Sequence, residues 1–252
     1  MRLPNIIAAE LDKLRTLPAV VLVAVATAVV GVALAAALTA SAAATQGEAV
    51  STTGVSTTGI STTDVLAQAV PFVQTGLILL GVLPVSHELA GRQLRTTLAA
   101  VPRRGMLLAG KTVATLVAAA LTAAAAVGGL LGAATVTAYL TDAPVAAGRI
   151  DAGPVLGAVA YLVLIGLLSH AIALLVRGPV PALVGTLSLV LIVSPLLASL
   201  SEHARWLPDR AAAQLYAPAD EVLTAATGAL VMLAWIALVG TLATVLFVRR
   251  DP

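Results

Sequence analysis

Six long runs without a single Asp, Glu, Lys or Arg, at residues 18–39, 65–85, 112–140, 153–176, 180–200 and 222–248, constrain this chain more than any motif in it. About 20 mostly apolar residues are needed to cross the roughly 30 Å of hydrocarbon in a bilayer, and each run meets that length. Only 10% of the residues are charged and 60% are hydrophobic, whereas a soluble domain carries about 25% charged residues. A water-facing surface cannot be assembled from so few charges. The expected fold class is therefore an all-α integral membrane protein, with six transmembrane helices forming one transmembrane domain over residues 1–252.

The charges between the runs set the orientation. With the N-terminus placed in the cytoplasm, 11 of the 14 basic residues fall on the inner side, leaving Arg149, Arg205 and Arg210 outside. This asymmetry predicts a multi-pass protein of the cytoplasmic (inner) membrane with both termini cytoplasmic. A net charge of +2 and an aromatic content of 3% give no basis for a nucleic-acid partner. The chain has no cysteine, which excludes disulfides and thiolate chemistry.

Ala40, Ser41 and Ala42 resemble a signal-peptide cleavage site, but the apolar run before them is longer than the 7 to 15 residues of a signal h-region, so the run is expected to stay as a span. Ahead of it, residues 1–17 place Ile7, Leu11 and Leu14 at i, i+4 and i+7, with Glu10 and Lys13 on other faces and Arg15 near the end. That spacing describes a helix lying flat in the interface. A positive anchor that fixes topology is an equally open reading.

Two outer loops differ in character. Residues 50–65 repeat VSTTG every five residues, a period that gives no continuous apolar side on a helix or a strand, and they are expected to form a solvated spacer. Residues 201–221 mix Trp206, Leu207, Leu215 and Tyr216 with six charges, so a segment dipping back toward the bilayer and a plain loop both stay open.

The stretch GMLLAGKT, from Gly105 to Thr112, matches the phosphate-binding pattern G-x-x-x-x-G-K-[ST]. A working version follows a buried strand and opens a soluble helix, and its free backbone N–H groups wrap the phosphates. Here VPRR precedes the match and an uncharged run follows it, so the match is expected to be a coincidence. Lys111 is then expected to mark the inner membrane boundary and to face lipid phosphate.

The inner segment, residues 86–111, carries more information. Drawn as a helix, Glu88, Arg92 and Arg95 gather on one side, with Leu94, Leu98 and Val101 opposite, and Pro102 ends it. Such a helix can lie on lipid or dock into a partner, and physics alone leaves both open.

The pattern E-x-x-G-x-x-L-R-T-T-L-x-x-x-P-R-R followed by L-x-x-K, from Glu88 to Lys111, resembles the inner loop of ABC-2 type transporter permeases, especially actinobacterial ones. The lead-in AELDKLRT and the ending LFVRRDP are similar to that family's two ends. This chain departs in having Leu89 where an aromatic is common, and Gly91 slightly early. The resemblance implies a type V exporter-like permease fold, with an N-terminal interfacial helix (Glu10, Lys13, Arg15) and a cytoplasmic coupling helix. It assigns ATPase coupling to Glu88, Gly91, Arg92, Arg95, Thr96, Thr97, Pro102, Arg103 and Arg104. It implies two cytoplasmic ABC ATPase subunits, a second permease copy or paralogue, and short re-entrant helices before the sixth span. ATP and Mg would sit on the partner, with no cofactor on this chain, no catalysis of its own and no metal.

Within the runs, Gln68, Gln74, Ser169 and His170 are the polar candidates for cavity contacts or for interhelical hydrogen bonds. Gly128 with Gly132, and Gly153 with Gly157, match G-x-x-x-G and would let backbones approach. The function expected is the permease subunit of an ATP-driven exporter for a hydrophobic or amphipathic substrate such as an antibiotic, peptide or lipid-like molecule. A stand-alone secondary transporter or channel is disfavoured because no run holds an ionisable Asp, Glu, Lys or Arg. A non-transporting anchor or sensor that recruits a cytoplasmic partner is the other alternative.

Overall fold

The computed structural model describes residues 3–53, 61–90, 104–141 and 151–249, and among these there is no β-strand. The elements are α1 (Leu3–Thr16), α2 (Pro18–Thr53), α3 (Thr62–Ala90), α4 (Arg104–Leu140), α5 (Ala152–Val176) and α6 (Pro179–Ser188). A five-residue π-helix (Leu189–Val193) joins α6 to α7 (Ser194–Leu200), a 3₁₀ turn (Glu202–Trp206) leads to α8 (Pro208–Ala213), and α9 (Ala225–Arg249) closes the chain. Six helices among the described residues are long and apolar enough to cross a membrane: Pro18–Ala44, Asp64–Val85, Gly105–Leu140, Ala152–Val176, Pro179–Leu200 and Ala225–Leu246.

α3 and α5 bury more than half of their apolar stretches, while α2, the α6–α7 stretch and α9 bury less than a quarter. α3 is the hub, packing against α2, α4, α5 and α6. Its Leu66, Leu77, Ile78 and Leu80 are fully buried, as are Leu162, Ile165 and Leu168 on α5. α4 presents Ala119, Ala123, Ala126 and Leu130, a stripe at i, i+4, i+7 and i+11 whose small members let neighbours come close. Outward, α2 exposes Val21, Leu22, Val25 and Val29, and α9 exposes Leu230, Leu238 and Leu242. In lipid such faces carry no hydrophobic penalty, which is why the periphery can be as apolar as the core.

α3 and α5 cross at close range. A Cβ at Gly81 would collide with the carbonyl oxygen of Gly166, and Gly166 in turn has the Leu77 carbonyl 3.4 Å from where its own Cβ would stand. By contrast, nothing lies within 4 Å of a Cβ built on Gly128 or on Gly132. That G-x-x-x-G pair makes no close approach, because the face of α4 that packs is the alanine stripe.

Local chemistry sets the helix ends. Ser61 and Asp64 form a reciprocal cap for α3, with Asp64 N–H donating to Ser61 Oγ at 3.2 Å and Ser61 N–H donating to Asp64 Oδ2 at 3.1 Å. The third unit of the pentapeptide repeat is thus a helix start, because Asp64 replaces the glycine of the earlier units. The first unit also differs from a spacer, since Ser51–Thr53 end α2. Asp151 caps α5 by accepting from Gly153 N–H at 3.4 Å. Arg177 ends α5 at φ 59° in the left-handed region, its N–H reaching Ala173 O, and Gly178–Pro179 then start α6. In the fifth span, Pro195 has no N–H to offer the preceding turn, and that turn widens so that Ser194 N–H reaches Leu189 O.

Candidate functional site

The GMLLAGKT stretch is helical from end to end, forming the second to ninth residues of α4. Its backbone N–H groups are turned along a continuous helix, so there is no loop to wrap a phosphate. Two of its residues serve packing instead. Ile6 of α1 lies with Cγ2 2.7 Å from where a Cβ on Gly110 would stand, so only glycine admits α1 this close. Lys111 Nζ donates to Glu10 Oε2 at 3.0 Å, with side-chain exposures of 9% and 12%. Lys111 therefore turns inward to a carboxylate rather than out to lipid phosphate, because a buried ammonium without a counter-charge is costly.

The same contact revises α1. The buried stripe runs Ile6–Leu14 with Glu10 between them, while Ile7 and Leu11 are half-buried, so Glu10 lies on the packed face. Lys13 is half-buried, and burial lowers its pKa; the Lys111 charge lowers it further, while Glu10 raises it. Arg15 is exposed.

One helical turn beyond Lys111 sits His170 of α5, 2% exposed. Thr112 Oγ1 lies 3.5 Å from its Nε2 and Thr115 Oγ1 lies 3.3 Å from its Nδ1, with the Gly81 backbone as a further hydrogen-bonding neighbour. His170 ties α3, α4 and α5 together, and it lines a cavity of about 410 Å³ between α4, α5 and α9. Leu108, Leu174 and Ile236 give that cavity apolar walls, and Thr112, Thr241 and Thr244 add hydroxyls. An apolar group bearing one hydrogen-bonding function suits such a lining. Ser169, fully buried beside His170, spends its hydroxyl on Ile165 O at 2.7 Å and is a packing residue.

At the far end of the bundle the 201–221 segment folds back onto the helices. Gln74 Oε1 accepts from the Tyr161 hydroxyl, and the Tyr161 ring meets Tyr216 at 5.0 Å between centroids. A Cβ at Gly157 would collide with the Leu215 carbonyl oxygen, and one at Gly228 with that of Ala211, so the segment seats directly on α5 and α9. Trp235 Nε1 donates to Trp206 O at 3.1 Å. Gln68 faces outward and joins none of this.

Sequence reasoning passed over Asp209 in this segment. It is 6% exposed, and burial pushes its carboxyl above the usual range, while Ser194, its own N–H and the Arg210 charge pull the other way. Tyr216 beside it is pushed up to about 12, by burial first and then by the Asp209 charge. The available signal was the Trp, Tyr and Pro content of the loop, which marks a folded segment able to bury an acid. Beyond it, a basin of about 450 Å³ is lined by Arg205, Arg210, Gln214 and Asp220. Arg205 pairs with Glu202 at 3.1 Å and Asp220 at 3.5 Å. Hydrogen bonds from the backbone N–H of Val222 lead the causes that lower the Asp220 pKa.

The residues expected to couple to an ATPase are mostly beyond the structure's reach. Glu88 lies in the last turn of α3 and Arg104 opens α4, but their side chains, and Gly91, Arg92, Arg95, Thr96, Thr97, Pro102 and Arg103 altogether, lie outside the described residues. Among the described residues no three His, Asp or Glu side chains gather as a metal site would require. Compared with family models and with curated proteins, the chain matches none.

Proposed function

We propose that this chain is the membrane-spanning permease subunit of an ATP-driven ABC exporter in the cytoplasmic membrane, with both termini on the cytoplasmic side. Its cargo in this reading is hydrophobic or amphipathic. ATP and Mg are handled by two separate ATPase subunits that dock at the coupling helix, residues 88–104, and the permease pairs with a second copy or a paralogue. Six spans and the inner-loop resemblance support the assignment. The observation that carries it is the joint between α1 and α4. A permease driven from outside needs its cytoplasmic edge to move as one piece, and Glu10–Lys111 links α1 to the first turns of α4, directly after that loop.

The test is co-purification from native membranes with ATP hydrolysis and transport measured on the eluate, for wild type and for Glu88→Ala with Arg92→Ala. The expected result is a bound ATPase whose hydrolysis continues in the double variant while cargo movement falls roughly tenfold or more. Unchanged transport in the double variant, or no ATPase on the column, would overturn the assignment.

Asp209 favours a second reading, a proton-linked transporter acting alone, since a buried carboxyl is the usual currency of such devices. Transport by the purified chain in liposomes, driven by a pH gradient without ATP and abolished by Asp209→Asn, would select it.

A further inference from the structure

Beneath α1 lies a second cavity, of about 580 Å³, closed off from the His170 cavity by the body of α4. Its walls come from α2 and α4, with Val21, Val25 and Leu121 exposed toward the surroundings, and Leu80 of α3 forms the floor. All four are aliphatic. Its mouth is different: Asp12 and Arg15, one turn apart on α1, line it with opposite charges. Both are exposed, and among the described residues neither side chain makes a hydrogen bond or an ion pair.

We propose that this groove holds one phospholipid whose head group carries both a phosphate and a primary ammonium, the ethanolamine class, with Arg15 on the phosphate, Asp12 on the ammonium and an acyl chain along α2 and α4. The geometry alone argues for a lipid: an aliphatic slot, open sideways to the bilayer and capped by charges at the level where α1 lies, repeats the profile of a lipid from tail to head. The pair of charges chooses among lipids. A guanidinium donates to phosphate oxygens in a forked geometry that a point-charge ammonium cannot offer. The carboxylate accepts charge-assisted hydrogen bonds from an ammonium, whereas a choline head has no N–H to give and an anionic glycerol head has no cation at all. Arg15 also sits in the last turn of α1, where the helix terminus favours positive charge, so the phosphate site is held in place by the element that presents it. The inference needs α2 and α4 to cross a bilayer with α1 at its head-group level, and it stands apart from the exporter assignment.

The experiment is native mass spectrometry of the full chain, released from detergent containing equal amounts of ethanolamine, choline and glycerol phospholipids with identical acyl chains. Wild type should carry the ethanolamine lipid roughly tenfold above either competitor. Arg15→Gln should strip adducts of every class, and Asp12→Asn should equalise ethanolamine and choline lipids while total adduct stays the same. Both positions are exposed, so neither change should impair folding. Ala24→Phe, which fills the slot and leaves the charges alone, should remove the adduct as well. Equal adducts on wild type, dominance of the glycerol lipid, a preference that survives Asp12→Asn, or a lipid-free dimer with a second copy in the groove would each overturn the proposal.

Discussion

Lys111 shows how one residue can be misread when only its neighbours in sequence are visible. Its place in GMLLAGKT suggests phosphate, and its place beside an apolar run suggests lipid, but its partner is Glu10, 101 positions away in the chain. No local pattern announces a pair of that separation. Glu10→Ala takes a counter-charge away from a nearly buried ammonium and should lower stability by roughly 3 kcal/mol, or about 6–12 °C in melting temperature for a chain of this size. Glu10→Leu combined with Lys111→Met removes both charges together and should recover most of that loss; simple additivity in the melting curves would refute the pairing. Asp209 makes the complementary case, since its burial depends on a fold-back that no spacing encodes. Its carboxyl holds its proton to higher pH in the folded chain than in the unfolded one. The stability it contributes is therefore full below the ordinary carboxylate range and is lost as pH rises through the raised value. Arg210, Tyr161, Tyr216 and Ser194 face it, and Asn in its place keeps the shape without titrating. Subtracting the Asp209→Asn melting temperatures from those of wild type between pH 4 and pH 8 should give a difference that falls with pH; a flat difference would mean that the carboxyl is not buried.

Among the elements, the helices were legible and their contacts were not. Apolar length and the absence of charge mark all six spans, because lipid imposes that requirement on each segment separately. Contacts depend on which face meets which, and in an Ala-rich chain many faces look alike. Gly128 and Gly132 fit the small-residue motif and meet nothing, whereas Gly81 and Gly166, on different helices and in no motif, form a crossing that a Cβ at Gly81 would block. This difference can be measured. Gly157→Ala would push a methyl into the Leu215 carbonyl and should cost about 1–3 kcal/mol while loosening the 201–221 segment. Gly128→Ala, with open space around it, should be neutral or gain up to about 1 kcal/mol from better helix propensity. Equal effects in a paired thermal unfolding series would count against the packing described. The Ser61–Asp64 cap was readable in advance as S-x-x-D before an apolar run, but the repeat around it drew attention to its sameness rather than to the one position that changes.

At the scale of the molecule, α4 is longer than any bilayer requires: 37 residues span about 55 Å, against roughly 30 Å of hydrocarbon. Near the end where Arg104 begins, Glu10 grips the helix at Lys111. Thr112, the next residue, and Thr115, about one turn further along the same helix, hold His170 at the wall of the 410 Å³ cavity. A helical turn is stiff, so these two attachments behave as fixed points on one rod. Any torque that α1 applies through the ion pair must reappear as a twist at the histidine, and any guest that displaces the histidine must be felt back at α1. The protein thus has a crankshaft a few residues long, in which grip and cavity wall cannot turn separately.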